Sequence, residues 1–179
     1  MTKNGGRVIR TATAADRDFV LAMADRLVSF DVPAFRKKDE LAEGDRRALA
    51  AWFDRLRDDG LEARSAEADE AMFVAEIDGR PAGCAYLVTL VDYFNQRPHA
   101  HLSVLAVTAE AEGKGVGSAL LDRSQEWARE RGSDRLTLSA LVTNSRARAL
   151  RTTRLLRRIH PICPAAIVST GDQKIRSFS

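Results

Sequence analysis

Phe19, Met23, Leu27 and Phe30 stand three or four residues apart, the spacing of one helical face. Thr13 followed by Asp16 resembles a capping box with Asp in place of the usual Glu or Gln, so the helix is predicted to start there. Asp31-Val32-Pro33 ends it, because the residue before a proline is disfavoured in the helical region. A second helix is predicted after it, with Leu41, Leu49, Trp52, Phe53 and Leu56 on one face. The charged stretch 58–70 reads as a solvated loop or helix end. Ahead of both helices, residues 7–10 alternate charged and apolar positions and read as a short strand.

Beyond residue 70 the pattern changes to that of an antiparallel sheet. Residues 72–77 form a predicted strand, Asp78-Gly79 a hairpin turn, and 81–92, rich in Val, Leu and Tyr, a longer strand. Arg97-Pro98 and His99 are placed in the loop before another strand, 101–107. Glycines 113, 115 and 117 open a helix to about residue 131, with Val116, Leu120 and Trp127 inward, and Gly132 stops it. Residues 135–141 read as a strand and 144–158 as a helix. There is no internal repeat and no linker. The order is strand, two helices, three strands, helix, strand, helix, which predicts one mixed α/β (α+β) domain over 1–179.

Composition narrows the class. A chain of 179 residues buries a core without disulfide staples, and 45% hydrophobic with 30% charged residues is the balance of a soluble globular protein. The longest nearly apolar run, 82–90, is about half what a membrane span needs, so no membrane partner is expected. The N-terminus lacks a basic patch followed by an apolar stretch, and Cys84 and Cys163 form neither a metal-ligand spacing nor a disulfide framework. A cytoplasmic location, with no metal, is the expectation. The net charge of +3 is uneven: residues 144–179 hold eight of the 28 lysines and arginines but one acid, Asp172, and carry +7 against −4 for the rest.

Candidate chemistry centres on Glu112-Gly113-Lys114-Gly115-Val116-Gly117-Ser118, between an apolar strand and an amphipathic helix. Three glycines in five residues remove side chains that would keep a ligand from the backbone. The helix start beyond them offers unpaired N–H groups and the positive end of its dipole, an anion site suited to a phosphate or pyrophosphate. Two rival phosphate loops are excluded. A P-loop needs Gly-Lys-Ser/Thr, and Gly117 is followed by Ser118-Ala119; a dinucleotide fingerprint from Gly113 needs glycine at 118, where Ser stands.

These residues carry a family resemblance. The stretch 101–150 resembles the central motif of the GNAT (Gcn5-related N-acetyltransferase) superfamily, and the resemblance extends over roughly 7–150. Leu105-Ala106-Val107 resembles the family's splayed strand, whose backbone bonds the pantetheine arm of acetyl-CoA. The loop resembles its Q/R-x-x-G-x-G/A pyrophosphate motif, with Gly115 and Gly117 in place. Asn144, followed by Arg146-Ala147-Arg148-Ala149-Leu150, resembles the next motif, where the Asn touches the cofactor. The resemblance implies a mostly antiparallel central sheet flanked by helices, and cofactor contacts from Leu105, Ala106, Val107, Gly113, Lys114, Gly115, Val116, Gly117, Ser118 and Asn144. It implies acetyl transfer from acetyl-CoA, leaving coenzyme A, to a primary amine of a small molecule or peptide. A non-catalytic acetyl-CoA-binding module is the alternative, and a homodimer is left open.

Three departures from the family pattern bear on this. Glu112 stands where Gln or Arg is preferred; a carboxylate beside a pyrophosphate is unfavourable, with Lys114 expected to offset it. Arg151 stands where the family has a tyrosine acting as general acid, and a guanidinium does not normally donate a proton. Finally, 151–179 is an atypical basic tail: Leu155-Leu156 replaces an expected Gly-Phe, and Pro161 and Pro164 suit a closing strand poorly. A reading-frame shift near Arg151 would account for that change. The tail's arginines have no interleaved aromatics to stack bases, which argues against a nucleic-acid partner.

Deprotonating an ammonium calls for a base with a pKa near neutral. His101, expected on the same strand face as Ser103 and Leu105, is the candidate for the catalytic base, with His99 behind it and a water relay as the other route. Phe30, Phe35, Tyr86, Tyr93 and Phe94 are the candidates for lining the acceptor pocket, with Asp31 or Asp92 drawing the amine.

Overall fold

The alternation at the N-terminus produces a strand, β2 (Arg7–Thr11), paired antiparallel with the two-residue β1 (Lys3–Asn4). The computed structural model describes residues 3–4, 6–29, 37–59, 69–139 and 165–169. After β2 a 3₁₀ turn at Ala14–Asp16 leads into α1 (Arg17–Ala22) and α2 (Ala24–Leu27). The periodic run expected as one helix is thus two. At Met23 the backbone tightens: its N–H bonds Val20 O at 3.1 Å, and Arg26 N bonds Met23 O at 3.0 Å. The expected long second helix is α3 (Lys38–Asp59), burying Leu49, Trp52, Phe53 and Leu56, with Leu41 half-buried.

Then come β3 (Glu70–Ile77), β4 (Arg80–Val91), β5 (Pro98–Val107), α4 (Val116–Glu130), β6 (Arg135–Ser139) and β7 (Ala165–Ser169). Among the described residues the seven strands form one sheet in chain order. Every neighbouring pair is antiparallel except β5–β6, whose parallel pairing uses α4 as its crossover. The β3–β4 turn has Asp78 at φ 51° and Gly79 at φ 74°, the two positive angles that match the strands' twist. The strand β7 follows directly on Pro164, in the tail expected to lack closing strands, and pairs antiparallel with β6. Its Ala-Ala-Ile-Val-Ser lies past both prolines, so neither interrupts the ladder. The predicted helix 144–158 lies outside the described residues.

Two apolar layers sandwich the sheet. On one face Val116, Leu120, Leu121, Trp127 and Ala128 of α4 pack on Ile9, Phe73, Ala75, Ala85, Leu87, Ala100 and Leu102. On the other, Val20, Met23, Leu49, Trp52, Phe53 and Leu56 of α1 to α3 pack on Met72, Val74, Cys84, Tyr86, Val104 and Ala106. Burial pushes the Cys84 thiol up to about 12, which makes it an inert core group. Among the described residues, no helix is long and apolar enough to cross a membrane.

Gly83 sets how closely α4 approaches the sheet. A Cβ there would lie 2.8 Å from the Ala106 carbonyl oxygen, 3.1 Å from Val116 Cγ1 and 3.2 Å from Leu120 Cδ1. Gly83→Val is therefore expected to cost on the order of 3 kcal/mol by overpacking. Urea unfolding followed by circular dichroism should show that loss.

The start of α1 is fastened to the sheet. The Asp16 carboxylate accepts Arg10 Nη1 and Nη2, both at 2.7 Å, the Thr13 N–H at 2.7 Å and the Thr13 hydroxyl at 3.0 Å. Arg10 Nε also donates to Glu76 Oε1 at 2.8 Å. The Arg10 guanidinium chiefly, helped by Thr13, holds Asp16 below the usual carboxylate range despite its burial. A depressed folded-state pKa contributes stability above the unfolded value and loses it as pH falls. Asp16→Asn should therefore cost on the order of 2 kcal/mol at pH 7. That gap from wild type should shrink in melts run progressively below about pH 4.

Candidate active site

Among the described residues the β5–β6 ladder is short. Ala100 pairs with Leu136, His101 with Thr137 and Leu102 with Leu138, and the register ends there while β5 runs on to Val107. Among the described residues, no strand pairs with that stretch of β5 on the side away from β4. Such an edge is a template for an extended ligand carrying amide groups. Leu105, Ala106 and Val107, expected to bind a pantetheine arm, lie along this edge.

The same point carries a β-bulge. Tyr86 pairs with Val104 but Leu87 with Leu102, so Ser103 is an extra residue on β5. A bulge leaves one residue out of the ladder and turns the strand. It also reverses the alternation: Ala100 and Leu102 face α4, whereas beyond the bulge Val104 and Ala106 face α1 to α3, and Leu105 and Val107 face α4. His101 and Leu105 therefore do not share a face, contrary to simple alternation.

At the far end of β5, a 3₁₀ turn at Ala109–Ala111 passes through Glu112 into the glycine loop. Gly113 and Gly115 take φ of 73° and 75°, angles that cost other residues energy, and Gly115 is the N-cap of α4. The first turn of α4 holds no acid, so its N–H groups and dipole present a positive end to the loop. Arg7 braces the loop from β2, its Nη1 donating to the Lys114 carbonyl at 2.7 Å. A Cβ on Gly115 would lie 2.4 Å from that nitrogen. Arg26 of α2 reaches the loop from the opposite layer, pairing through Nη2 with Glu112 Oε1 and directing Nε to the Val107 carbonyl at 3.4 Å. Lys114 was expected to offset the charge of Glu112; Arg26 pairs with that carboxylate as well.

The two histidines separate by environment. His99, expected in a loop, is a residue of β5 because Pro98 already pairs with Val91. It is buried, and Arg135 Nη2 lies 3.4 Å from its Nδ1. A guanidinium only donates, so that nitrogen's lone pair faces a cation. Burial first, then Arg135, pull the His99 pKa below the ordinary histidine value. His101 is half-buried with Nδ1 at 2.8 Å from Thr137 Oγ1, and Thr137 Oγ1 lies 3.4 Å from the Ala100 carbonyl. Burial, then the neighbouring His99, lower its pKa also.

The acceptor-pocket candidates among the described residues stand apart. Tyr86 is buried in the layer under α3, beside Glu70 and Arg55, and burial chiefly raises its pKa. Tyr93 and Phe94 stand edge to face at the tip of the β4–β5 hairpin, 84% and 92% exposed. Asp92 holds that tip: Oδ1 accepts the N–H of Phe94 at 2.9 Å and of Asn95 at 3.1 Å, and Oδ2 pairs with Arg135. Asp92 thus ties the turn to β6. Phe30, Asp31, Phe35, Asn144 and Arg151 lie outside the described residues. Among the described residues, no group of three or more His, Cys, Asp or Glu is placed to hold a metal ion. Sequence reasoning missed Arg7, Arg26 and Thr137, all brought in by contacts between distant segments.

Comparison with known proteins gives the fold its relatives. Residues 33–153 match the family model described as the acetyltransferase (GNAT) family. No curated protein matches the chain. Among solved structures, PaiA N-acetyltransferase from Thermoplasma acidophilum, in complex with coenzyme A, superposes with a TM-score of 0.67 at 14% identity, over 90% of this chain and 96% of its own. YncA from Salmonella typhimurium, with its cofactor acetyl-CoA, gives 0.64 at 16% identity, over 96% and 98%. An aminoglycoside acetyltransferase from an uncultured soil metagenomic sample gives 0.54 at 16%, over 88% and 95%.

Proposed function

Given that this chain belongs to the GNAT acetyltransferase family, we propose that it transfers an acetyl group from acetyl-CoA to a primary amine of a small molecule or peptide. The observation that carries the reading is that, among the described residues, β5 pairs with β6 only from Ala100 to Leu102, with the glycine loop following the far end of the strand. An edge for an amide-bearing arm and a cradle for a diphosphate lie in line.

When bound, acetyl-CoA supplies an acetyl group already activated as a thioester. The N–H groups at the start of α4, from Val116 to Ser118, would hold the pyrophosphate, and the β5 edge along Leu105, Ala106 and Val107 the pantetheine. The bulge at Ser103 releases backbone from the ladder, and an N–H there is suited to polarise the acetyl carbonyl. Fixing the two reactants against one strand supplies much of the rate.

His101 is the base in this reading. A threonine hydroxyl has one proton; with that of Thr137 directed at the Ala100 carbonyl, its oxygen accepts from His101 Nδ1–H. The tautomer that results leaves Nε2 as the basic nitrogen, and the lowered pKa keeps the ring neutral at pH 7. His99 is unsuited, because Arg135 faces its acceptor nitrogen.

Thiol release from acetyl-CoA, followed over a panel of amino acids, polyamines, aminoglycosides and peptides, tests the activity. Amine-dependent release with an acetylated product is the expected result. Tight acetyl-CoA binding with no turnover on any amine would favour a non-catalytic binding module instead.

A further inference from the structure

The glycine loop has an anomaly that the cofactor reading does not absorb. A carboxylate, Glu112, opens a loop whose other features gather positive potential, and a like charge beside a diphosphate is unfavourable. That carboxylate is paired with a guanidinium from a different layer of the fold. Arg26 lies on the four-residue α2, on the face of the sheet opposite α4, and crosses the end of β5 to reach Glu112. Both side chains are partly exposed, Arg26 at 29% and Glu112 at 36%, so the pair sits at the surface of the cradle rather than in the core. Glu110, the other acid of the 3₁₀ turn, is exposed and also lies in the field of Arg26 and Lys114.

Three details give Arg26 a use beyond closing an ion pair. Its two described bonds engage Nε and Nη2, and a guanidinium carries five N–H donors in a planar fork that matches phosphate oxygens. Its Nε is directed at the carbonyl of Val107, the last residue of β5, so the fork stands where the strand edge meets the loop. An exposed pair of this kind adds little to stability, so folding alone is a weak reason for it.

We propose that Arg26 is a cofactor-binding residue: from α2 it supplies the loop with the diphosphate-directed cation that position 112 lacks, and Glu112 positions its fork. The inference rests on the acetyl-CoA reading of the same site. It makes the α2 layer part of the donor site, so that binding of the diphosphate ties α2 to the start of α4. Glu112 is a positioning residue in this arrangement: it orients Arg26 while its own charge opposes the diphosphate.

The test is calorimetric titration of the full chain and of Arg26→Met, Arg26→Lys and Glu112→Gln, each with coenzyme A and with pantetheine, which has the same arm without phosphates. Arg26→Met should weaken coenzyme A about tenfold or more, the effect of removing a charged hydrogen-bond donor, and leave pantetheine unchanged. Arg26→Lys should fall between the two, since it keeps the charge but not the fork. Glu112→Gln should bind coenzyme A within about threefold of wild type, because an amide removes the repulsion while loosening Arg26. Equal affinity of wild type and Arg26→Met for coenzyme A overturns the proposal, as does an equal loss of coenzyme A and pantetheine, which marks a purely structural residue. Should Arg26→Met fail to fold, wild-type affinity in Arg26→Lys overturns it and a selective loss of coenzyme A supports it. Failure of the wild type itself to bind coenzyme A overturns the acetyl-CoA reading, and the role of Arg26 with it.

Discussion

Gly115→Glu is expected to abolish the stabilisation that acetyl-CoA gives the wild-type chain while leaving the fold intact. At a ligand concentration about 100 times Kd, binding to the folded state alone is worth about 2.7 kcal/mol. For a chain of this size that raises Tm by on the order of 5–10 °C. The substitution removes the effect in three ways. Its Cβ meets Arg7 Nη1, which must swing away from the Lys114 carbonyl it braces. A side chain now stands where ligand must approach the backbone. The new carboxylate also takes the positive end of α4 for itself, a favourable place for it and an unfavourable one for a second anion. Backbone strain at φ 75° costs on the order of 1 kcal/mol in its own right. Gly132→Ala is the matched control, with φ 66°, open space around the new Cβ and a position at the other end of α4. Thermal melts with and without acetyl-CoA should show the ligand shift kept in Gly132→Ala and absent in Gly115→Glu.

The second large effect is expected at His101. His101→Gln should lower kcat by on the order of 10² to 10⁴, the contribution of a positioned general base, with the KM for acetyl-CoA within about threefold. Glutamine keeps a polar contact for Thr137 Oγ1 and fills similar space, so packing is not what changes. The pH profile carries the sign. His101 is the base only when neutral, and its pKa lies below the ordinary histidine value because of burial and His99. Activity should therefore rise with pH through a limb below about 6.5 in the wild type, and that limb should be missing in the variant. Equal profiles in the two proteins would move the proton to a water relay.

Much of this was legible in the sequence because the signals were local. Thr13 and Asp16 cap the first turn as their spacing implies, and Asp78-Gly79 turns the hairpin with both residues at positive φ. The glycine loop opens α4, and Val116, Leu120 and Trp127 face inward as the periodicity indicates. What failed depended on partners distant in the chain. The Ser103 bulge carries no glycine or proline to announce it; it exists because β4 and β5 fall out of step between Leu87–Leu102 and Tyr86–Val104. Alternation along one strand therefore placed Leu105 beside His101 when it lies on the other face. His99 was read as loop, yet β5 begins at Pro98, and a proline at a strand's first position is tolerated. β7 begins just beyond Pro164 for a similar reason. The contact of Arg26 with Glu112 spans 86 positions, and neither neighbourhood hints at the other.

The geometry of the donor site also ties these observations together. Among the described residues the parallel β5–β6 pair stops three residues in, the bulge turns β5 immediately after, and Gly83 lets α4 lie close enough for its N-terminus to meet the strand's end. Each depends on the others, since a longer ladder would close the edge and a bulkier residue at 83 would lift the cradle.

Calorimetric titration of the unaltered protein with acetyl-CoA tests the central claim most directly. One saturable site per chain is the expected result, with coenzyme A competing for it. Heats no larger than dilution, with no saturation by either ligand, would contradict it and leave a family fold whose cradle holds no cofactor.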